Sequence, residues 1–299
     1  MYNRKITKLM LLFFAIFLAA KSIYAFDLTD IKKRGVIRHL GVPYANFVTG
    51  AGDGFSVDLV KLFAKYINVK YEFVKTDWKH VIPDLIGKKI EVKGNQVKIL
   101  GDAPIKGDII ATGLTVLDWR KKLVSYSSPV FPTQIWLISR SDSKLTPIKP
   151  TGDISKDILA VLLKLKGRSV LDVPATCLDA SLYGLKKYGA KIIDFNKNLN
   201  ELAPAVINGK ADATLLDVPD ALVALEKFPG LIKVIGPLSK RQVMACAFQK
   251  DATELKRTFE EFLDKIKKDG TYIKLVKKYY PAVLDYYPDF FGYGRQGER

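Results

Sequence analysis

Short apolar runs alternate with amphipathic segments along most of this chain. Runs rich in Ile, Val and Leu predict strands at 36–42, 69–74, 108–111, 169–173 and 211–217. Apolar residues spaced by three or four positions predict helices between them, as in 56–66, where Ser56 is a candidate N-cap. Strands that alternate with helices are typical of α/β proteins, and the alternation over this length predicts two α/β lobes.

Three local signals refine this pattern. The segment 88–106 contains Lys93-Gly94-Asn95 between two β-type runs, which predicts an inserted β-hairpin. It is either a partner surface or a tolerated loop extension. Residues 180–188 predict a helix ended by Gly189, and 251–254 has the spacing of a capping box that opens another helix.

The clearest candidate site lies in residues 107–138. A short apolar strand ends at a glycine, Gly113, where the backbone can turn sharply or approach a ligand closely. Thr115 and a lone Arg120 follow. Free backbone N–H groups, a hydroxyl and a planar guanidinium are together suited to a carboxylate.

A candidate of opposite charge lies about a hundred residues further on. Asp217 ends an apolar strand and directly precedes Val218-Pro219. The carboxyl ends of strands are where open α/β sheets bind ligands. The same position also suits an N-cap for a helix over 219–227, and one aspartate can serve both purposes.

The first 25 residues have the pattern of a secretory signal. Basic residues precede an apolar run over 9–20, and Ala25 is a plausible last residue before cleavage. A retained membrane anchor is the alternative, but the apolar run is short for a bilayer span. We therefore expect cleavage and a periplasmic location.

Charge and the rarer residues narrow the function further. Loss of the signal lowers the formal net charge from +17 to +13, because the segment carries four basic residues and no acidic ones. The lysines are scattered and the protein is expected to be exported, so we do not expect nucleic-acid binding. Two histidines without a ligand cluster predict no metal site and no cofactor. Whether Cys177 and Cys246 pair is left open.

Several separate motifs make the chain resemble the extracellular solute-binding proteins of family 3, which bind polar amino acids for ABC importers. Gly113-Leu114-Thr115-Val116, with Arg120 at matching spacing, resembles the family's site motif, and Tyr126-Ser127-Ser128-Pro129 follows as expected. The segments 54–58 and 209–217 also match family patterns. The chain departs at Leu117, Ala175 and Cys177, where the family usually has Thr, Gly and Thr.

The resemblance implies a two-lobed periplasmic binding protein type II fold with a two-segment hinge. The implied first lobe is 26–132 with 249–299, including the hairpin, and the second is 133–248. It also implies the roles of the site residues. Arg120 would clamp a ligand carboxylate with Thr115 and the backbone near Gly113, and Asp217 would receive the ammonium. Tyr44 would cover the ligand, unless it is a rim tyrosine over the core, and Thr176 would add a hydroxyl.

The expected function is delivery of a small amino-acid-like solute to the membrane permease of an ABC importer. The alternative is a periplasmic accessory or sensor protein built on the same fold, which the departures at Leu117, Ala175 and Cys177 motivate. An enzyme is not expected, although this type of domain also accompanies lytic transglycosylases. Two lobes would use the whole mature chain, and no Ser-His-Asp or Cys-His pattern is apparent.

Overall fold

The structure is a computed structural model, and it describes residues 27–292. The expected signal segment 1–25 lies outside the described residues. The strands are β1 (Val36–Gly41), β2 (Lys70–Lys75), β3 (Lys88–Lys93), β4 (Gln96–Asp102), β5 (Ile109–Ile110), β6 (Ser125–Tyr126), β7 (Phe131–Thr133), β8 (Ile135–Arg140), β9 (Ser169–Asp172), β10 (Lys191–Asp194), β11 (Ala213–Asp217), β12 (Ile232–Pro237), β13 (Gln242–Met244) and β14 (Ala247–Phe248).

Helices connect most of these strands. The α-helices are α1 (Leu28–Arg34), α2 (Phe55–Tyr66), α3 (Val81–Ile86), α4 (Asp118–Lys121), α5 (Ile154–Leu163), α6 (Leu202–Ile207), α7 (Val218–Lys227), α8 (Thr253–Lys268), α9 (Thr271–Tyr279) and α10 (Val283–Tyr286). Short 3₁₀ turns cover Ala180–Tyr183, Leu185–Tyr188, Leu199–Glu201 and Pro288–Phe291. No helix within 27–292 combines the length and apolar character that crossing a bilayer requires.

The first sheet has the strand order β2-β1-β5-β14-β6. Strand β1 runs parallel to β2 and β5, whereas β14 is antiparallel to β5 and β6. Because β14 comes from much later in the sequence, the chain leaves this sheet and returns to it. We call the elements around this sheet the first lobe.

The second sheet has the order β10-β9-β11-β8-β12. Strand β8 lies antiparallel to β11 and β12, and β9 lies parallel to β10 and β11. The elements around this sheet form the second lobe. Between the sheets, β7 and β13 pair antiparallel, with Thr133 opposite Gln242. The chain therefore passes from one sheet to the other in two neighbouring segments, the arrangement of a two-strand hinge.

Aromatic packing brings the end of the described chain back to the first lobe. Phe131 packs against the rings of Phe47, Phe55 and Tyr280 at centroid distances of 5.1, 5.4 and 4.9 Å. In helix α8, Phe259 packs against first-lobe residues, including Phe248 of β14. Buried aromatic side chains contribute large apolar areas, so these contacts fix α8 and α9 to the first lobe.

Three local predictions differ from the structure. The helix expected over 180–188 is instead two 3₁₀ turns, because Gly184 between them has φ +67°. Helix α2 begins at Phe55 after Gly54, so Ser56 lies inside the helix and does not cap it. The capping box expected at 251–254 does not form, since the amide of Leu255 donates to the carboxylate of Asp27, at 2.7 Å.

Strands β3 and β4 form an antiparallel hairpin with its turn at Gly94-Asn95. One side of the hairpin packs on the core through Ile90, Val92 and Val97. Near its base, Ile99 and Leu100 are 56% and 57% exposed, which is unusual for aliphatic side chains. The hairpin is therefore attached to the first lobe on one side and presents apolar surface on the other.

Candidate functional site

The loop after β5 positions a buried arginine. Gly113 has φ +67°, and a Cβ there would lie 2.5 Å from the Phe47 ring, so only glycine fits without displacement. Helix α4 then turns Arg120 inward, where it is 2% exposed. Its Nη1 donates to the carbonyl oxygen of Thr115 at 2.9 Å. The loop thus holds the guanidinium in a fixed orientation inside the protein.

Several other buried polar atoms at and around this arginine lack hydrogen-bond partners. Its guanidinium lies 5.2 Å from the Trp119 ring and 6.0 Å from the Trp78 ring. Among buried side-chain atoms within 27–292, those without a hydrogen-bond partner include Arg120 Nε, Thr115 Oγ1, Trp78 Nε1 and Trp119 Nε1. No ion pair joins Arg120 to a carboxylate in the described chain. Unpaired buried donors cost about 1–3 kcal/mol each, so this cluster favours an anionic acceptor.

The second lobe brings a carboxylate to the same region. Asp217 ends β11, whose residues are all buried, and it begins α7 as the N-cap. Its Oδ1 accepts the amide of Asp220 at 3.1 Å. The other oxygen, Oδ2, accepts the hydroxyl of Tyr44 from the first lobe at 2.5 Å. Asp217 therefore both caps a helix and faces the opposite lobe, as its position in the sequence allowed.

Burial controls the charges of this pair. Burial raises the pKa of Asp217 to about 6, although the hydrogen bond from Tyr44 acts in the opposite direction. The pKa of the Tyr44 phenol is raised well above its usual value, first by burial and then by the charge of Asp217. Tyr44 therefore remains a neutral donor, and Asp217 is ionised above pH about 6.

Cys177 lies beside Asp217 and within electrostatic reach of Arg120. Its sulfur is 3.8 Å from Asp217 Oδ2, and its carbonyl oxygen accepts the Tyr183 hydroxyl at 2.5 Å. Burial and Asp217 raise the pKa of the thiol to about 12, while Arg120 and the nearby Thr115 hydroxyl lower it. The thiol is therefore neutral. Cys177 of the second lobe therefore contacts Asp217 of its own lobe and feels the charge of Arg120 from the first lobe.

The other predicted residues have different surroundings. The hydroxyl of Thr176 donates to Val173 O at 2.7 Å and accepts the Leu178 amide at 3.0 Å, so its hydrogen bonds are made within its own turn. Ala175, where the family often has glycine, adopts φ +62°. Cys177 and Cys246 are both buried free thiols.

Sequence reasoning missed some residues of this group. The ring of Trp78 lies edge-on to Tyr44 at 5.3 Å, and Asn200 Oδ1 accepts the Ala45 amide of the first lobe at 2.9 Å. Trp78 follows the carboxyl end of β2, and that edge of a parallel sheet is where ligand-binding residues gather. This rule could have found Trp78 but not Asn200, which lies within the 3₁₀ turn Leu199–Glu201.

The histidines serve other purposes. His39 is buried between the Tyr71 hydroxyl and the Ala111 carbonyl, and burial lowers its pKa to about 4. His80 is at the surface beside Asp77. In the part of the chain that the structure describes, no group of three or more His, Cys, Asp or Glu residues could hold a metal ion.

Two α/β lobes joined by two chain segments, with the buried Arg120 in one lobe and the buried Asp217 in the other, are the architecture of a two-lobed solute-binding protein. The chain belongs to the bacterial extracellular solute-binding proteins, family 3, whose sequence profile matches residues 40–100 and 105–282. The family and the fold class predicted from the sequence are both confirmed.

Individual relatives agree with this assignment. The lysine/arginine/ornithine-binding periplasmic protein of Escherichia coli (strain K12) is 26% identical over 236 residues, which is 76% of this chain and 78% of that protein. The structure of an ancestral arginine-binding protein bound to arginine is 26% identical, with a TM-score of 0.65 over 83% of this chain and 99% of that one.

A third relative is much longer than the matching region. The membrane-bound lytic murein transglycosylase F of Desulfosudis oleivorans is 27% identical over 234 residues, or 77% of this chain. That match spans only 44% of the length of the transglycosylase. The similarity to this relative therefore concerns less than half of that protein.

Proposed function

We propose that this protein is the periplasmic substrate-binding protein of an ABC-type importer and encloses a small amino-acid-like zwitterion between its lobes. The observation that carries the proposal is the set of unpaired buried donors around Arg120. Burying a guanidinium without an anion is costly, and a ligand carboxylate would supply the acceptors that these donors lack.

The carboxylate of the ligand would bind to Arg120 Nε and Thr115 Oγ1. Its ammonium would bind to Asp217, whose Oδ2 accepts from Tyr44 and, at 3.8 Å, from the weakly donating thiol of Cys177, which the ammonium would replace. Tyr44 and Trp78 would cover the ligand with aromatic surface. Because these groups come from two lobes, only the closed arrangement would offer them all together, as in other hinge-bending binding proteins.

The domain and compartment predictions fit this proposal. We propose that the first lobe is 26–132 with 249–299 and the second is 133–248, except that β14 (Ala247–Phe248) pairs in the first sheet and belongs to the first lobe. We also propose that 1–25 is a cleaved signal. Two of the relatives quoted above, a lysine/arginine/ornithine-binding periplasmic protein and an ancestral arginine-binding protein bound to arginine, support an amino-acid ligand by their names. We also propose that the protein binds its solute without transforming it, and the delivery of that solute to a permease is part of the same proposal.

One observation favours the alternative role of an accessory or sensor protein. The exposed aliphatic pair Ile99 and Leu100 on the hairpin is the kind of apolar surface that another protein would cover. Substitution of both residues by serine separates the two roles. If the hairpin is only a loop extension, cells that carry the double-serine variant should transport the solute as wild-type cells do. If the wild-type protein pulls down a stable partner and the double-serine variant does not, the accessory role is favoured.

Isothermal titration calorimetry with a panel of L-amino acids tests the proposed function. At least one should bind with a Kd well below about 1 mM, and Arg120→Gln should abolish that binding. The control is Arg140→Gln, because Arg140 is a partly exposed second-lobe arginine paired with Asp142. A wild-type protein that binds every α-amino acid more weakly than about 1 mM would refute the proposal.

A further inference from the structure

The tip of the inserted hairpin lies against the opposite lobe. Gly94, in the turn between β3 and β4, has φ +57°, and a Cβ there would lie 3.3 Å from the side-chain oxygen of Ser181. Ser181 belongs to the 3₁₀ turn Ala180–Tyr183, which lies between β9 and β10 of the second sheet. Glycine is favoured where another part of the chain comes close to the backbone. The tip of a first-lobe element therefore contacts the second lobe.

The same tip is attached to the first lobe. Lys122 Nζ donates to the carbonyl oxygen of Asn95 at 3.2 Å. Lys122 follows the last residue of α4, the helix that turns Arg120 inward. Further along the hairpin, its partly buried apolar side chains pack on the core of the first lobe. The hairpin is therefore expected to move with the first lobe as one body.

The contact point on the second lobe is held by its own hydrogen bonds. The amide of Ala180 donates to Asp172 Oδ1, at the end of β9, at 2.5 Å. The hydroxyl of Tyr183 donates to the carbonyl oxygen of Cys177 at 2.5 Å. These bonds join the 3₁₀ turn to the sheet and to the loop that carries Cys177 beside Asp217. The tip thus contacts a part of the second lobe that is fixed next to the candidate site.

Opening of the lobes has to break this contact. The hairpin belongs to the first lobe and the 3₁₀ turn to the second, and the lobes are joined through the neighbouring strands β7 and β13. When two lobes rotate apart about such a hinge, contacts between them away from the hinge are lost. The tip contact therefore belongs to the closed arrangement, together with the hydrogen bond between Tyr44 and Asp217.

We propose that the inserted hairpin is an interlobe clamp, whose tip rests on the turn around Ser181 and stabilises the closed arrangement of the lobes. This role concerns the tip of the hairpin, whereas the partner contact considered above concerns the exposed pair Ile99 and Leu100 near its base. The inference does not depend on the identity of the ligand, because the protein chain alone makes the contact.

An engineered disulfide tests whether the tip lies on the second lobe. Gly94→Cys with Ser181→Cys brings two thiols together where a disulfide, which spans about 3.5–4.5 Å between Cβ atoms, can form. Gly101→Cys with Ser181→Cys is the control, because Gly101 is in the same hairpin and also has a positive φ, but a Cβ there has no neighbour within 4 Å. Without added solute, mass spectrometry should show that the tip pair oxidises at least about tenfold faster than the control pair.

A shortened hairpin tests whether the contact holds the lobes together. Replacing residues 92–97 by Asn-Gly joins the paired residues Glu91 and Lys98 through a two-residue turn and removes the tip. Small-angle X-ray scattering without added solute should give a larger radius of gyration than for the wild type, because more molecules are open. If this variant does not fold, Ser181→Trp replaces it, since this exposed side chain would wedge the tip away and enlarge the radius as well.

Each result either supports the clamp or overturns it. Oxidation of the tip pair no faster than that of the control pair would show that the tip does not lie on the second lobe in solution. Fast oxidation with an unchanged radius of the folded variant would show a contact that does not hold the lobes, which also contradicts the proposal. Neither result bears on the proposed function, because calorimetry with L-amino acids tests ligand binding separately.

Discussion

Replacing Asp217 by asparagine should make the protein more stable and unable to bind its ligand. Burial raises the pKa of this carboxyl from 3.8 to about 6. The folded state therefore holds the proton more tightly than the unfolded chain does. The resulting stabilisation is fully present below pH 3.8 and is lost as the pH rises through about 6.

The magnitude follows from the two pKa values. A difference between 3.8 and about 6 corresponds to about 3 kcal/mol of unfavourable ionisation in the folded state. Asparagine keeps one oxygen to accept the Asp220 amide that Oδ1 accepts, and its NH2 group takes the place of Oδ2 and can donate to the Tyr44 oxygen, but it cannot ionise. The variant should therefore match the wild type in strongly acidic solution and exceed its free energy of unfolding by up to about 3 kcal/mol above pH about 6.

Urea unfolding followed by circular dichroism across this pH range measures the difference, and calorimetry measures ligand affinity. Asp172→Asn is a matched control, because burial also raises the pKa of Asp172 to about 6. It should show a comparable pH-dependent gain in stability and retain ligand binding. The reasoning is refuted if Asp217→Asn is no more stable than wild type above pH about 6, or if it binds amino acids as the wild type does.

Three further predictions concern the backbone and the thiols. Gly113→Ala should lower the free energy of unfolding by about 2–4 kcal/mol in urea titrations, because the new Cβ would clash with Phe47 at a positive φ; a loss below about 0.5 kcal/mol would contradict this. Ala175→Gly should raise the free energy of unfolding by up to about 1 kcal/mol, because glycine adopts φ +62° without strain. A variant less stable than the wild type would argue against strain at Ala175. In the absence of reductant, Cys177 and Cys246 should react with a thiol reagent only once the protein has been unfolded. Unfolded protein whose cysteines stay unreactive would indicate a disulfide.

The features that could be predicted from the sequence are mostly local ones. The glycine break at 113 and the arginine seven residues later lie in one short loop, so their spacing alone indicated a common site. Asp217 was found because a strand's apolar run ends there and a helix begins. Each of these signals depends on residues close in the chain, where hydrophobic periodicity and turn chemistry are informative.

The remaining features depend on contacts between distant parts of the chain. Asp27 caps helix α8 from 228 residues away, and no local pattern could show that it replaces the expected capping box. The partnership of Tyr44 with Asp217 spans 173 residues.

The account depends most on the unpaired donors around Arg120 being the carboxylate site. A crystal structure of the protein with the amino acid that binds most tightly tests this directly. We expect one carboxylate oxygen of the ligand within hydrogen-bonding distance of Arg120 Nε and Thr115 Oγ1, and its ammonium against Asp217 Oδ2. A ligand bound elsewhere, with Arg120 Nε still lacking an acceptor, would contradict the account.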